Sequence, residues 1–145
     1  MEARTSAKTI EMAKDRAGEL TGIAKAQAKA GDVNTAFATA KTIEDADKRS
    51  EALTDIATAQ AKAGDVKAAL ATAKTIEDAD DRAEALADIA TAQEKAGDGK
   101  EALASAKTIK DAVDRAEAVT GIAKAQAKAE EVKKAKKTFV QAFAT

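Results

Sequence analysis

Ile56-Ala-Thr-Ala-Gln-Ala-Lys-Ala-Gly-Asp65 is a run of helix-favouring residues that stops at Gly-Asp. Near copies stand at 23–32 and 89–98, and a damaged copy at 122–131, each 33 residues from the last. Outward from this phrase, Ala-Lys-Thr-Ile recurs from Ala7, Ala40, Ala73 and Ala106 with the same period. A fixed period of this length marks an array of stacked units. Four units follow, 7–39, 40–72, 73–105 and 106–138, with a tail at 139–145. No linker or low-complexity stretch divides them, so the 145 residues read as one domain.

The composition carries 41 alanines, three phenylalanines and no proline, tryptophan or tyrosine. Alanine is the strongest helix former and proline the weakest, so the fold class is all-α. Small side chains require close helix approach and bury modest area per residue. Charged residues make up 34% but sum to −1, which argues against nucleic acid as a partner, since a polyanion binder carries a basic excess. Without cysteine there is no disulfide or thiolate metal site. No apolar run is long enough for a membrane span. Met1-Glu-Ala-Arg-Thr5 has no signal-peptide core behind it, which points to the cytoplasm if the chain is complete.

Each unit reads as two helices. Leu53, Ile56, Ala57, Gln60 and Ala63 recur on one face of a helix, here called A. Gly64 suits a left-handed C-terminal residue, and Asp65 caps the following helix B. Val66, Ala69, Leu70, Ala73 and Ile76 give B its own stripe. The turns leading into the A helices carry Asp81-Arg-Ala-Glu84 and Asp114-Arg-Ala-Glu117, the pattern of capping boxes, while at Lys48-Arg49 the cap falls to Asp47. With a half-unit helix near 2–14, the expectation is about nine helices stacked as a right-handed α-solenoid of antiparallel hairpins.

This array resembles the tetratricopeptide repeat (TPR) over essentially its whole length. Leu53, Ile56, Ala57, Gly64, Asp65 and Ala69 fall where that family places its helix-A apolar residues, small residue, turn and helix-B alanine. It departs from the family in its 33-residue period, in Gln60 and Ala73 at the aromatic positions, and in the missing proline. The phrase Ile-Ala-x-Ala-Gln-Ala-x-Ala-Gly-Asp is similar to divergent bacterial repeats of this kind. The resemblance implies a protein–protein interaction scaffold with no enzymatic activity. Its partner segment would lie on a concave face lined by the A helices.

The positions matching that face are Gly18, Thr21, Gly22, Lys25 and Lys29 in the first unit, and Glu51, Thr54, Asp55, Thr58 and Lys62 in the second. The third supplies Glu84, Ala87, Asp88, Thr91 and Lys95, and the fourth Glu117, Thr120, Gly121, Lys124 and Lys128. Asp55 and Asp88 in the inner units, against Lys25 and Lys124 in the outer ones, describe an acidic centre with basic ends, suited to a peptide with a basic middle. The bland alternative is a solvated face, since it carries no aromatic or arginine anchor. Gln27, Gln60, Gln93 and Gln126 sit within the apolar stripe and are expected to bridge A helices or turn carbonyls. Arg16, Arg49, Arg82 and Arg115 open the A helices and are expected to pair with carboxylates such as Glu44 and Glu77.

No chemistry is legible. The chain has no histidine and no glycine-rich phosphate loop, and Ser6, Ser50 and Ser105 lack a base in any recognisable motif. The acidic turn 77–81 lacks the glycine and terminal glutamate of a calcium loop, so neither cofactor nor metal is expected. Lys133-Lys134-x-Lys136-Lys137 reads as a solubilising cap, with an acidic partner or membrane surface as the alternative. In the last unit Gly-Asp becomes Glu130-Glu131 and Leu70 and Leu103 become Lys136, while Phe139, Val140 and Phe143 cluster. The expectation is a closed hairpin with a C-terminal capping helix. The alternative is one long helix that swaps or docks on a second copy as a homodimer. Two other classes stay open: an amphipathic stress-protective protein of the late-embryogenesis-abundant kind, because 33 is three elevens, and a purely architectural, self-associating repeat.

Overall fold

The structure is a computed structural model that describes residues 2–143, with side chains described at 5, 6 and 8–142. Among the described residues it is all-helical, with seven helices and not nine. They are α1 (Glu2–Lys29), α2 (Val33–Lys41), α3 (Ala46–Lys62), α4 (Val66–Lys74), α5 (Ala79–Lys95), α6 (Gly99–Lys107) and α7 (Ala112–Phe143). Two expected turns are absent, and each absence has a local cause.

The first kind of turn follows an A helix. Gly64 takes φ 89°, a region that a side chain strains. Its N–H donates to the Ala61 carbonyl at 3.0 Å, and the Asp65 N–H donates to Gln60 at 2.9 Å. This pair of bonds closes the helix end in a Schellman motif. Asp65 then accepts from the Ala68 N–H at 3.1 Å and starts α4. Gly31 and Gly97 repeat the conformation. At the fourth copy Glu130 stands in the glycine's place, and α7 runs through it for 32 residues. Phe139 is a second obstacle to closure. It occupies the position of Ala40, Ala73 and Ala106, each fully buried where a B helix packs. The closed hairpin and separate capping helix expected in the last unit are therefore replaced by one helix; the Phe143 side chain of that cluster lies outside the described residues.

The second kind of turn leads into an A helix. The caps are Asp45, Asp78 and Asp111, three residues earlier than Asp81 and Asp114 and two earlier than Asp47. Asp78 accepts from the N–H groups of Asp80 and Asp81, both at 3.0 Å. Asp81 and Asp114 sit inside the first helical turn. Met12 occupies the cap position in the first copy, and α1 continues past it without a break.

The A and B helices of a unit pack together as α1–α2, α3–α4 and α5–α6. The A helices lie side by side as α1–α3, α3–α5 and α5–α7, and each B helix also meets the next A helix. Every packed pair lies within two places in the chain. Alanines such as Ala24, Ala57, Ala73 and Ala90 are fully buried, which lets helices approach closely. Six isoleucines supply the largest fully buried side chains. Ile56, Ile89 and Ile122 lie in A helices, and Ile43, Ile76 and Ile109 lie in the turns beyond the B helices.

The end units reveal what buries what. Ile23 is 48% exposed, whereas its copies Ile56, Ile89 and Ile122 are at most 1% exposed. Ile122 reaches this burial although no helix folds back on α7, so the preceding unit must cover it. Glu19 is exposed where Ala52, Ala85 and Ala118 are buried. On α7 the opposite face is bare: Ala116, Val119, Thr120 and Ala123 are exposed, while the corresponding Ala17, Thr21 and Ala24 on α1 are buried.

Two polar devices repeat. Gln27 accepts from the Thr39 hydroxyl at 2.8 Å and Gln93 from Ser105 at 2.7 Å, so these glutamines tie an A helix to its own B helix. Only Gln126 bridges A helices, donating to Glu94 at 3.0 Å. Arg49, Arg82 and Arg115 donate to the carbonyls of Ile43, Ile76 and Ile109 at 2.7–2.8 Å, which secures the buried turn isoleucine. Of the expected carboxylate pairs, Arg49 meets Glu77 at 3.6 Å.

Nothing lies within 4 Å of a Cβ built at Gly64, so a substitution there tests the backbone alone. Gly64→Ala is expected to lower stability by about 1 kcal/mol or more through left-handed strain. The urea midpoint should fall while the helical circular dichroism is kept; an unchanged midpoint would show that the turn tolerates a side chain.

Candidate binding clefts

Two of the residues expected on the concave face, Thr21 and Thr54, are buried. Thr54 is buried, its hydroxyl donating to the carbonyls of Ser50 at 3.0 Å and Asp81 at 3.2 Å. Thr21 is buried in the same way, bonded to Ala17. These threonines clamp neighbouring A helices and leave nothing for a ligand. Lys25 reaches Asp55 at 3.3 Å, so one basic end is spent neutralising half of the expected acidic centre. Glu51 is taken by Lys48 at 2.8 Å. Thr58 donates to Asp88 at 2.8 Å, and Thr91 donates to the Ala87 carbonyl within its own helix at 2.9 Å. Thr120 donates within α7, and Lys29, Lys124 and Lys128 are exposed.

What remains acidic gathers between α5 and α7. A cleft of about 400 Å³ is lined by Asp80, Glu84, Asp88, Asp114 and Glu117, with Ala83, Ala87, Thr91, Ala118 and Gly121. No lysine or arginine lines it. Partial burial raises the Glu84 carboxyl above its ordinary value, and the negative charges of Asp88, Asp81 and Asp55 raise it further. Asp114 is raised by burial and by Asp111, Asp80 and Glu117. Asp81 is raised by burial and by Asp78 and Glu51. Along α5 the charge then reverses: Lys62 and Lys95 line a cleft of about 460 Å³ together with Asp88 and Thr91.

A further cleft, of about 430 Å³, was not foreseen from the sequence. It opens on the other side of the start of α5, against α4 and the α6–α7 turn. Leu70, Ala73, Leu86 and Ile109 give it an apolar lining, and its charged groups balance, Asp80, Asp111 and Asp114 against Lys74, Arg82 and Lys110. Asp80, Ala83 and Asp114 line both this cleft and the acidic one, so the two adjoin. The signal in the sequence was faint: Leu70 stands where the preceding unit has the larger Phe37. A related cleft of about 350 Å³ lies beside α1, lined by Ile10, Arg16, Leu20 and Glu44, the last on the α2–α3 turn.

Among the described residues no group of three histidine, cysteine or acidic side chains is arranged to hold a metal ion. None of the described helices is long and apolar enough to cross a membrane. No family model, curated protein or solved structure matches the chain.

The raised carboxyl of Glu84 makes a pH-dependent expectation. Its folded form holds the proton more tightly than its unfolded form, so its contribution is favourable at low pH and is lost as pH rises through the folded value. Glu84→Gln should therefore melt slightly higher than the parent at neutral pH, with the difference closing as pH falls through the carboxylate range. A thermal melt at several pH values checks this; a variant that melts lower at neutral pH would show that the charge is not repelled.

Proposed function

We propose that this chain is a TPR-like right-handed α-solenoid that performs no catalysis and holds a segment of another protein. The segment it suits is helical or extended, with an apolar anchor and several lysines or arginines. Support for the solenoid comes from packing confined to helices within two places in the chain. The observation that carries the binding reading is the pair of adjoining clefts that share Asp80, Ala83 and Asp114. One is apolar and accepts a hydrophobic side chain, as pockets of this size commonly do. The other offers carboxylates without a bound cation, which steer and select a basic segment. The like-charge crowding at Glu84 and Asp114 is relieved when a cation arrives, so the repulsion adds to the selectivity.

The test is titration calorimetry with a synthetic amphipathic peptide of lysine, alanine and one phenylalanine. Binding should weaken as salt is raised. Glu84→Lys with Glu117→Lys should weaken it about tenfold or more, because both exposed positions then repel the peptide. Unchanged affinity in the double variant, with the helical signal kept, removes the acidic cleft as the site.

A further inference from the structure

Residues 120–129, Thr-Gly-Ile-Ala-Lys-Ala-Gln-Ala-Lys-Ala, repeat residues 21–30 without a change. In α1 this stretch holds α3. The Thr21 hydroxyl reaches the Lys48 carbonyl at 3.4 Å, and Lys25 meets Asp55 at 3.3 Å. Ala17, Ala24 and Ala28 lie beside them on the helix and are at most 4% exposed. In α7 the five matching side chains, Ala116, Thr120, Ala123, Lys124 and Ala127, are all exposed. Among the described residues α7 packs against α5 and α6 alone. The Thr120 hydroxyl donates within its own helix, to Ala116 at 2.8 Å.

We infer that this face of α7 is a docking site for an amphipathic helix of another protein that carries the α3 pattern. The part of that pattern turned toward α1 is Ala52, Asp55 and Ile56. Their first-unit counterparts Glu19 and Ile23, with no helix in front of them, are exposed, whereas Ala52 and Ile56 are fully buried. The occupant's shape follows from continuity, because the same side-by-side contact already joins α1 to α3, α3 to α5 and α5 to α7. Its charge follows from Lys124. The identical Lys25 is met by an aspartate, so the docked helix brings a carboxylate to that point. The front of α1 in a second copy is a poor occupant, since Glu19 replaces the alanine and Gly22 the aspartate. Thr120 and Lys124 line none of the clefts described above, so this site is separate from the one for a basic segment.

The probe is a synthetic peptide with the sequence of α3, residues 46–62, titrated into the full chain by calorimetry. Thr120→Gln places a larger neutral side chain at an exposed position and favours helix, so the fold is kept. It should weaken peptide binding about tenfold or more by blocking close approach. Lys124→Glu should weaken it about tenfold, and a peptide with Asp55→Lys should bind that variant better than it binds the intact chain. Absence of binding to the intact chain overturns the inference, as does a charge swap that restores nothing. Equal affinity in Thr120→Gln also overturns it, by placing the peptide elsewhere on the array. Light scattering that finds the intact chain dimeric and Thr120→Gln monomeric would give the face to a second copy and overturn the assigned partner.

Discussion

The structure depends on how its helices are stopped. Alanine, lysine and glutamate favour helix at nearly every position, so nothing in the average composition ends one. Reversal needs a residue that accepts positive φ, or an aspartate that takes the free N–H groups of a new helix. Gly31, Gly64 and Gly97 supply the first, and Asp45, Asp78 and Asp111 the second. Where Met12 and Glu130 replace them, two helices become one. The rest of the element order follows: three closed hairpins, the first opened by the long α1, and then the long α7.

The clefts inherit their character from those stops. The capping aspartates Asp78 and Asp111 begin α5 and α7, and Asp80, Asp81 and Asp114 follow in the first turns of these two adjacent helices. The negative charge that crowds the cleft between α5 and α7 is thus partly a by-product of beginning helices there. Lys25 cancels such charge between α1 and α3 by reaching Asp55, and no lysine or arginine lines the cleft at α5 and α7. The same repeat therefore yields a neutralised surface in one place and a charged one in another.

Much of this was legible in the residues. The period, the Gly-Asp turn and the capping role of Asp65 could be read directly, because each depends on contacts within a few positions. The entry caps were misplaced by two or three residues, since Asp78 and Asp81 offer similar chemistry and only backbone direction separates them. Thr54 could not be told from a surface threonine. Its burial comes from the Asp81 carbonyl, 27 residues away and on another helix. The glutamines were expected between A helices or on turn carbonyls; Gln27 and Gln93 instead hold an A helix to its own B helix, Gln126 does bridge two A helices, and the buried Gln60 Oε1 has no hydrogen-bond partner, distinctions set by rotation about the helix axis. The apolar cleft left only the faint trace of Leu70 in place of Phe37, because a void between Leu70, Leu86 and Ile109 is a property of three elements and of no single stretch.

Glu19 gives the array a direction. In the other units this position is an alanine buried against the unit before it, so stacking another unit in front of α1 would bury a carboxylate with no partner, a heavy penalty. The far side of α7 presents Ala116, Thr120 and Ala123, the small polar and apolar surface on which the inner units stack. For protein engineering the scaffold is therefore extensible from one end. Modules can be appended behind α7 once Glu130 and Phe139 are returned to the glycine and alanine of the other units, whereas lengthening it at the front first requires Glu19 to be changed to alanine.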